Sequence, residues 1–220
     1  MDEDSIVILR ANTVHNSKEF NATILILGDG MGGHNAGEIA SYIATRTVGR
    51  FLIQRLLYKE LDYLSELDLG VREANKAVLE YSKKNPECEG MGTTLVAAIL
   101  IDRNLYVANV GDSRLYIINN NKKDIRQVTV DHSMGGGILT RAIGCDPKVK
   151  VDTFHAKLKK DDLILLCCDG LSDVVRNDEI KKIALSTEDP QDACDRLIEL
   201  ADSRGSPDNV SLILVRDIDE

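Results

Sequence analysis

The chain has 220 residues and a mass of 24.3 kDa, enough for one enzyme-sized domain, residues 1–220, with a sizeable buried core. Its 43% hydrophobic and 29% charged residues, with only 4 Pro, exclude a mainly disordered or fibrous state. The net charge of −9 argues against binding nucleic acid or anionic lipid through bulk charge, and leaves cation binding open.

Taken in chain order, the first elements are two apolar strands, Ile6 to Leu9 and Thr23 to Leu27. Two long amphipathic helices follow. In the first, Asn35 is placed to cap and Glu38 to close a capping box. Ile39, Ile43, Thr47 and Phe51 keep a four-residue stride beside Ala40, Ala44, Val48 and Leu52. In the second, Leu67, Val71, Ala74, Val78 and Tyr81 form a stripe opposite charged residues. Thr94 to Ile101, Leu105 to Val110, Arg114 to Ile118 and Ile125 to Val130 are strands joined by short polar links, which predicts one antiparallel meander. Leu163 to Cys168 is a further strand. Asn177 and Asp189-Pro190 start two short helices, and Val210 to Val215 closes the chain as a strand. Strands in runs and helices in pairs predict an α+β layered fold, sheets inside and helices outside, rather than a doubly wound parallel sheet.

The longest apolar runs fall well short of the ~18 residues a membrane span needs, and Met1-Asp2-Glu3-Asp4 does not open a targeting segment. A cytoplasmic protein without membrane association is expected. The 5 Cys include no C-x-x-C pair and read as reduced, buried thiols. Neighbouring Cys167 and Cys168 lie on one strand and are expected to face opposite sides of it.

Two segments repeat one design, Thr23 to Gly30 and Leu163 to Gly170: an apolar strand that ends in Asp-Gly, at Asp29-Gly30 and Asp169-Gly170. A lone Asp-Gly reads as a turn. Two at matched strand ends point to a shared cation, because a carboxylate at the end of a core strand is costly without a partner. Gly lets the backbone approach closely and leaves its carbonyl as a further oxygen ligand. Asp208 precedes the final strand, so three carboxylates are expected to converge at one sheet end. Like charges packed that closely require added positive charge, and carboxylate and carbonyl oxygens select magnesium, manganese or calcium over zinc or copper.

These residues belong to a longer ordered set: Asp29-Gly-Met-Gly-Gly-His34, Gly37-Glu38, Gly90-Met-Gly-Thr-Thr94, Gly111-Asp112-Ser-Arg114, Asp131-His-Ser133, Leu139-Thr-Arg-Ala142, Asp169-Gly-Leu-Ser-Asp173 and Asp208-Asn209. The set resembles the metal-dependent protein phosphatases of type 2C, particularly the bacterial and archaeal branch, over nearly the whole chain. The resemblance implies a four-layer α/β/β/α sandwich, two antiparallel sheets flanked by antiparallel helix pairs. It implies a binuclear manganese or magnesium centre in which Asp29 bridges, Gly30 gives its carbonyl, and Asp169 and Asp208 complete the ligands. A water activated there would hydrolyse phosphoserine and phosphothreonine in proteins without a covalent phosphoenzyme. Asp112 is implied as a third, weaker metal position shared with Asp169, or is a hairpin-turn residue. Glu3, with Asp4, resembles a segment whose Glu holds metal-bound water, against the reading of a solvated acidic terminus. Arg141 and His34 are candidates for substrate contact and proton transfer, against an ion-pair and a pre-cap role; Asp173 is an outer ligand or a helix cap.

Three departures from the family pattern stand out. Met1 occupies the place of the strand and phosphate-gripping Arg that normally precede the Glu-Asp segment: either the true start lies upstream, or the chain lacks that clamp, which predicts weaker substrate affinity. A longer flap is replaced by Met134 and three glycines before Ile138-Leu139-Thr140-Arg141, which predicts an open, less selective site. Met31 stands where many eukaryotic relatives carry a general-acid His. The expected partners are phosphorylated proteins, targets of a serine/threonine kinase, with no nucleic acid, no membrane and a monomeric state. The alternative is a catalytically weak phosphoprotein-binding regulatory domain; a calcium-binding structural domain lacks a contiguous calcium loop.

Overall fold

The computed structural model describes residues 2–15, 18–31, 36–56, 61–134 and 137–216. One sheet has the order β1 (Asp4–His15), β2 (Lys18–Met31), β4 (Leu95–Ile101), β5 (Asn104–Val110) and β8 (Asp152–Lys157), with the short β3 (Gly92–Thr93) paired to the end of β2. The other has the order β10 (Leu212–Val215), β9 (Asp162–Cys167), β6 (Arg114–Asn119) and β7 (Asp124–Gln127). Every described strand pair is antiparallel.

Side-chain alternation sorts the strands into layers. On β2, Ile24 and Ile26 face α1 (Ala36–Arg55) and α2 (Tyr63–Lys84), while Leu25 and Leu27 face the second sheet. Ile164 and Leu166 of β9, with Cys168 just after it, fill the space between the sheets. Leu163, Leu165 and Cys167 pack under α4 (Asn177–Ser186) and α5 (Pro190–Ser203). Cys167 and Cys168 therefore face opposite sides, as expected. Three apolar cores separated by two sheets make the four-layer α/β/β/α sandwich, each core formed because its strands or helices carry an apolar face.

The helix stripes are placed as their spacing predicts, with Ala40, Ala44, Val48 and Leu52 of α1 and Leu67, Val71, Ala74 and Val78 of α2 fully buried. Tyr81, at the end of the second stripe, is exposed. Asn35 lies outside the described residues. Asp189 caps α5 by accepting from the Gln191 and Asp192 N–H groups, with Pro190 in the first turn.

Three expectations are corrected. The run from Thr94 to Val130 is not one meander: β4 and β5 belong to the first sheet, β6 and β7 to the second, and Gly111–Ser113 carries the chain across. Gly111 has φ +108°, and a Cβ there would overlap Thr94, so only glycine makes this crossing. The predicted strand Ile125 to Val130 ends at Gln127, and that from Val210 begins at Leu212. The predicted strand Leu163 to Cys168 runs Asp162–Cys167, and Asp169-Gly170 opens a short helix, α3 (Asp169–Ser172).

Candidate metal centre

The pairing register brings Asp4, where β1 begins, opposite Asp29 near the end of β2. Asp29 is fixed by its backbone: its N–H donates to Thr94 Oγ1 at 3.1 Å and its carbonyl accepts from Thr94 N at 2.8 Å. The Gly30 N–H donates to the Glu3 carbonyl at 3.1 Å, and Ser41 Oγ donates to the same oxygen at 2.6 Å. Glycine is required at Gly30, where a Cβ would overlap the Gly37 carbonyl, while a Cβ on Gly37 would crowd the Gly30 carbonyl carbon and displace the Glu3 carboxylate.

Asp169 arrives from the other sheet. Its helical turn packs against the segment before β10, where a Cβ on Gly170 would overlap the Asn209 carbonyl. Ser206 Oγ donates to Gly170 O at 2.8 Å, stapling the Asp208 loop to α3. Asn209 closes the ring: its Oδ1 accepts from Glu3 N at 2.9 Å, and its carbonyl accepts from Cys168 Sγ at 3.3 Å. The carboxylates thus converge at one end of the sandwich, between two sheets and not at the end of one sheet as expected. Replacing Gly170 by Ala should displace this loop. We expect a cost of about 1–3 kcal/mol, a Tm loss of roughly 2–10 °C, and a larger loss of metal-dependent turnover, read by thermal melting and phosphate release.

The electrostatics are those of a cluster of acids in need of a cation. Burial, then Asp4, Asp169, Asp208 and Asp112, push the Asp29 carboxyl up to about 9. Burial pushes Asp4 up to about 6, helped by Asp2 and Asp208, and pushes Asp112 up to about 6, helped by Asp169. Asp169 is raised by burial, Asp173 and Asp208, and Glu3 by burial and Asp208. Asp4 Oδ2 and Asp169 Oδ1 are buried without a hydrogen-bond partner among the described residues. Ligand atoms of Asp4, Asp29 and Cys168 lie within 4.8 Å of one another. Orphaned carboxylate oxygens, raised pKa values and a nearly all-oxygen donor set fit hard divalent cations.

The structure brings together Glu3, Asp29, Gly30, Asp112, Asp169 and Asp208. Asp208 is exposed at the rim, whereas Asp112 is 8% exposed. Asp173 ends α3, its N–H donating to the Asp169 carbonyl at 2.9 Å. Arg141 does not face the cluster directly: its Nη1 lies 2.8 Å from Asp152 Oδ1. His34 lies outside the described residues. Sequence reasoning placed Asp4 beside Glu3 and gave it no role as a metal ligand; the signal that finds it is its register against Asp29. On either side of the reduced flap, Ser133 is bridged to Leu139 and Met134 N donates to Ile138 O at 3.0 Å. Beside it a cleft of about 210 Å³ is lined by Met31, Leu139, Arg141, Cys145, Lys148 and Lys150 among others.

The family model for protein phosphatase 2C matches residues 3–135 and 139–210. The chain belongs to the protein phosphatase 2C family. The Listeria monocytogenes serotype 4b serine/threonine phosphatase stp is 36% identical over 217 residues, covering 89% of this chain and 84% of that protein. Among solved structures, the serine/threonine phosphatase Stp1 from Staphylococcus aureus superposes with a TM-score of 0.82 at 33% identity, covering 99% of this chain and 89% of that one. The catalytic domain of the phosphatase PstP in complex with 2 manganese ions gives 0.81 at 30% identity, covering 97% and 90%. The break in the family match falls within the glycine run after Met134.

Proposed function

We propose that this phosphatase 2C chain hydrolyses phosphoserine and phosphothreonine in proteins at a centre of two manganese or magnesium ions, with residues 1–220 as one catalytic domain. The observation that carries this is the convergence of the buried Asp29 and Asp169 carboxylates with Asp208 at their exposed rim, with no cationic side chain among the described neighbours that shift their pKa values. Asp29, the Gly30 carbonyl, Asp169 and Asp208 would hold the two ions, with Glu3 and Asp4 accepting hydrogen bonds from their waters. Asp112, beside Asp169, would hold a third. Divalent ions bound there supply an activated water and neutralise charge on the phosphoryl oxygens.

The protein's own part is placement. The Thr94 bonds fix Asp29, the Asn209 bond ties Glu3 to the Asp208 loop, and a cleft lies beside Met31, Leu139 and Arg141. Arg141 lines that cleft and is proposed to assist phosphate binding from its seat on Asp152. The partners are phosphorylated targets of a serine/threonine kinase, met by a monomer in the cytoplasm. No helix among the described residues is long and apolar enough to cross a membrane.

Two readouts test direct hydrolysis of this substrate class. Phosphothreonine and phosphoserine peptides should release phosphate at least tenfold faster than a phosphotyrosine peptide of the same sequence. Turnover in ¹⁸O-water should give phosphate with one new ¹⁸O and no acid-stable phosphoprotein. A trapped phosphoenzyme, or equal rates on all three peptides, contradicts the proposal.

A further inference from the structure

Asp112 sits in the crossing between the two sheets, and the consecutive residues Asp131 and His132 grip that crossing from both sides. On the far side, Arg114 Nη2 and Nε lie 2.7 and 3.0 Å from Asp131 Oδ2, and Gln127 Nε2 donates to Asp131 Oδ1 at 2.7 Å. On the near side, the Gly111 N–H donates to His132 Nδ1 at 3.1 Å, while the His132 N–H donates to the Gly111 carbonyl at 3.0 Å. His132 is 4% exposed. Since Nδ1 accepts, the ring proton is assigned to Nε2, which lies 3.1 Å from both Asp152 Oδ2 and Arg141 Nη1, and Asp152 Oδ1 is itself held by Arg141 at 2.8 Å. Gly111 has no side chain with which to fix itself, so its N–H bond to the buried imidazole and its carbonyl, which accepts from the His132 N–H and from Asn109 Nδ2 at 3.2 Å, define where the chain turns, one residue before the Asp112 carboxylate.

We propose that His132 is a positioning residue for Asp112: the Asp152–His132–Gly111 chain of hydrogen bonds aims the Asp112 carboxylate at Asp169. Its effect on metal rests on the reading of Asp112 as a weaker metal position. Removing the imidazole leaves a buried N–H without a partner and frees the crossing to shift. The two ring nitrogens have separate tasks. Asn at this position presents Oδ1 near the place of Nδ1 and keeps the Gly111 bond, whereas Leu keeps bulk and neither bond.

The test is manganese binding to the whole chain, counted by electron paramagnetic resonance of the free ion, for wild type, His132→Leu, His132→Asn and Asp112→Asn. We expect the weakest class of ion to lose about tenfold in affinity in His132→Leu and to return within about threefold of wild type in His132→Asn. The tighter ions should be unchanged. Ring ¹⁵N resonances should give Nδ1 as the unprotonated nitrogen. If Asp112→Asn weakens the weak class and His132→Leu does not, or if Asn is as impaired as Leu, the positioning role is overturned. If Asp112→Asn itself changes nothing, the reading of Asp112 is what fails. Should His132→Leu not fold, Asp152→Asn loosens the ring without opening the core and should weaken the same class about threefold; unchanged binding there overturns the proposal.

Discussion

Asp29→Asn is expected to raise the stability of the metal-free protein while abolishing manganese-dependent turnover. Asp29 is held by burial and four neighbouring carboxylates at a pKa of about 9 against the ordinary 3.8, so at pH 7 folding must drive proton uptake by this group. That uptake costs on the order of 4 kcal/mol at pH 7. An amide of the same shape carries no charge and avoids it, which corresponds to a Tm gain of roughly 10 °C for a domain of this size. The same substitution removes the residue proposed to bridge the ions, and turnover should fall by at least ~10³-fold, about 4 kcal/mol of transition-state stabilisation. Melting in chelator and phosphate release in manganese read the two effects separately. A variant that is less stable without metal than the wild type contradicts the electrostatic account.

The second large effect is the pH dependence of stability. Asp4 and Asp112 are raised to about 6 and Asp29 to about 9, with Asp169 and Glu3 raised as well. A carboxyl whose folded pKa lies above its unfolded value stabilises the fold fully below the unfolded pKa and loses that contribution as pH rises through the folded one. The metal-free protein should therefore lose stability between about pH 4 and 6 through Asp4 and Asp112, and on to about pH 9 through Asp29. Magnesium relieves the repulsion, so the Tm gain on adding it should grow from pH 5 to pH 9. A gain of equal size at every pH contradicts this account.

Much of the fold and the heart of the site were legible in the sequence for physical reasons. Strands buried on both faces announce themselves as unbroken apolar runs, and an Asp at the end of such a run conflicts with its surroundings unless a cation joins it; Asp29 and Asp169 both do. Helix stripes at Ala40 to Leu52 and Leu67 to Val78 follow from period alone. The hidden parts depend on long-range pairing. Strand β8 is a polar edge, Asp-Thr-Phe-His-Ala-Lys, with no apolar run to mark it. Asp4 joins the site through its register with Asp29, and Asn209 joins Glu3 across nearly the full length of the chain. The Gly-Asp-Ser turn looks like any hairpin, yet it crosses between sheets, because the choice is made by Gly111 against Thr94 and by His132. Arg141 shows the same limit: its charge is visible in the sequence, its partner Asp152 is not.

The most direct test of the central claim is phosphate release from a phosphothreonine peptide across a manganese titration that starts from metal-free protein, for wild type and Asp169→Asn. The account predicts no release without metal, saturable release with it, and collapse in the variant although the variant stays folded. A folded wild type that binds manganese and releases no phosphate would contradict it, and would favour a phosphoprotein-binding regulatory domain instead.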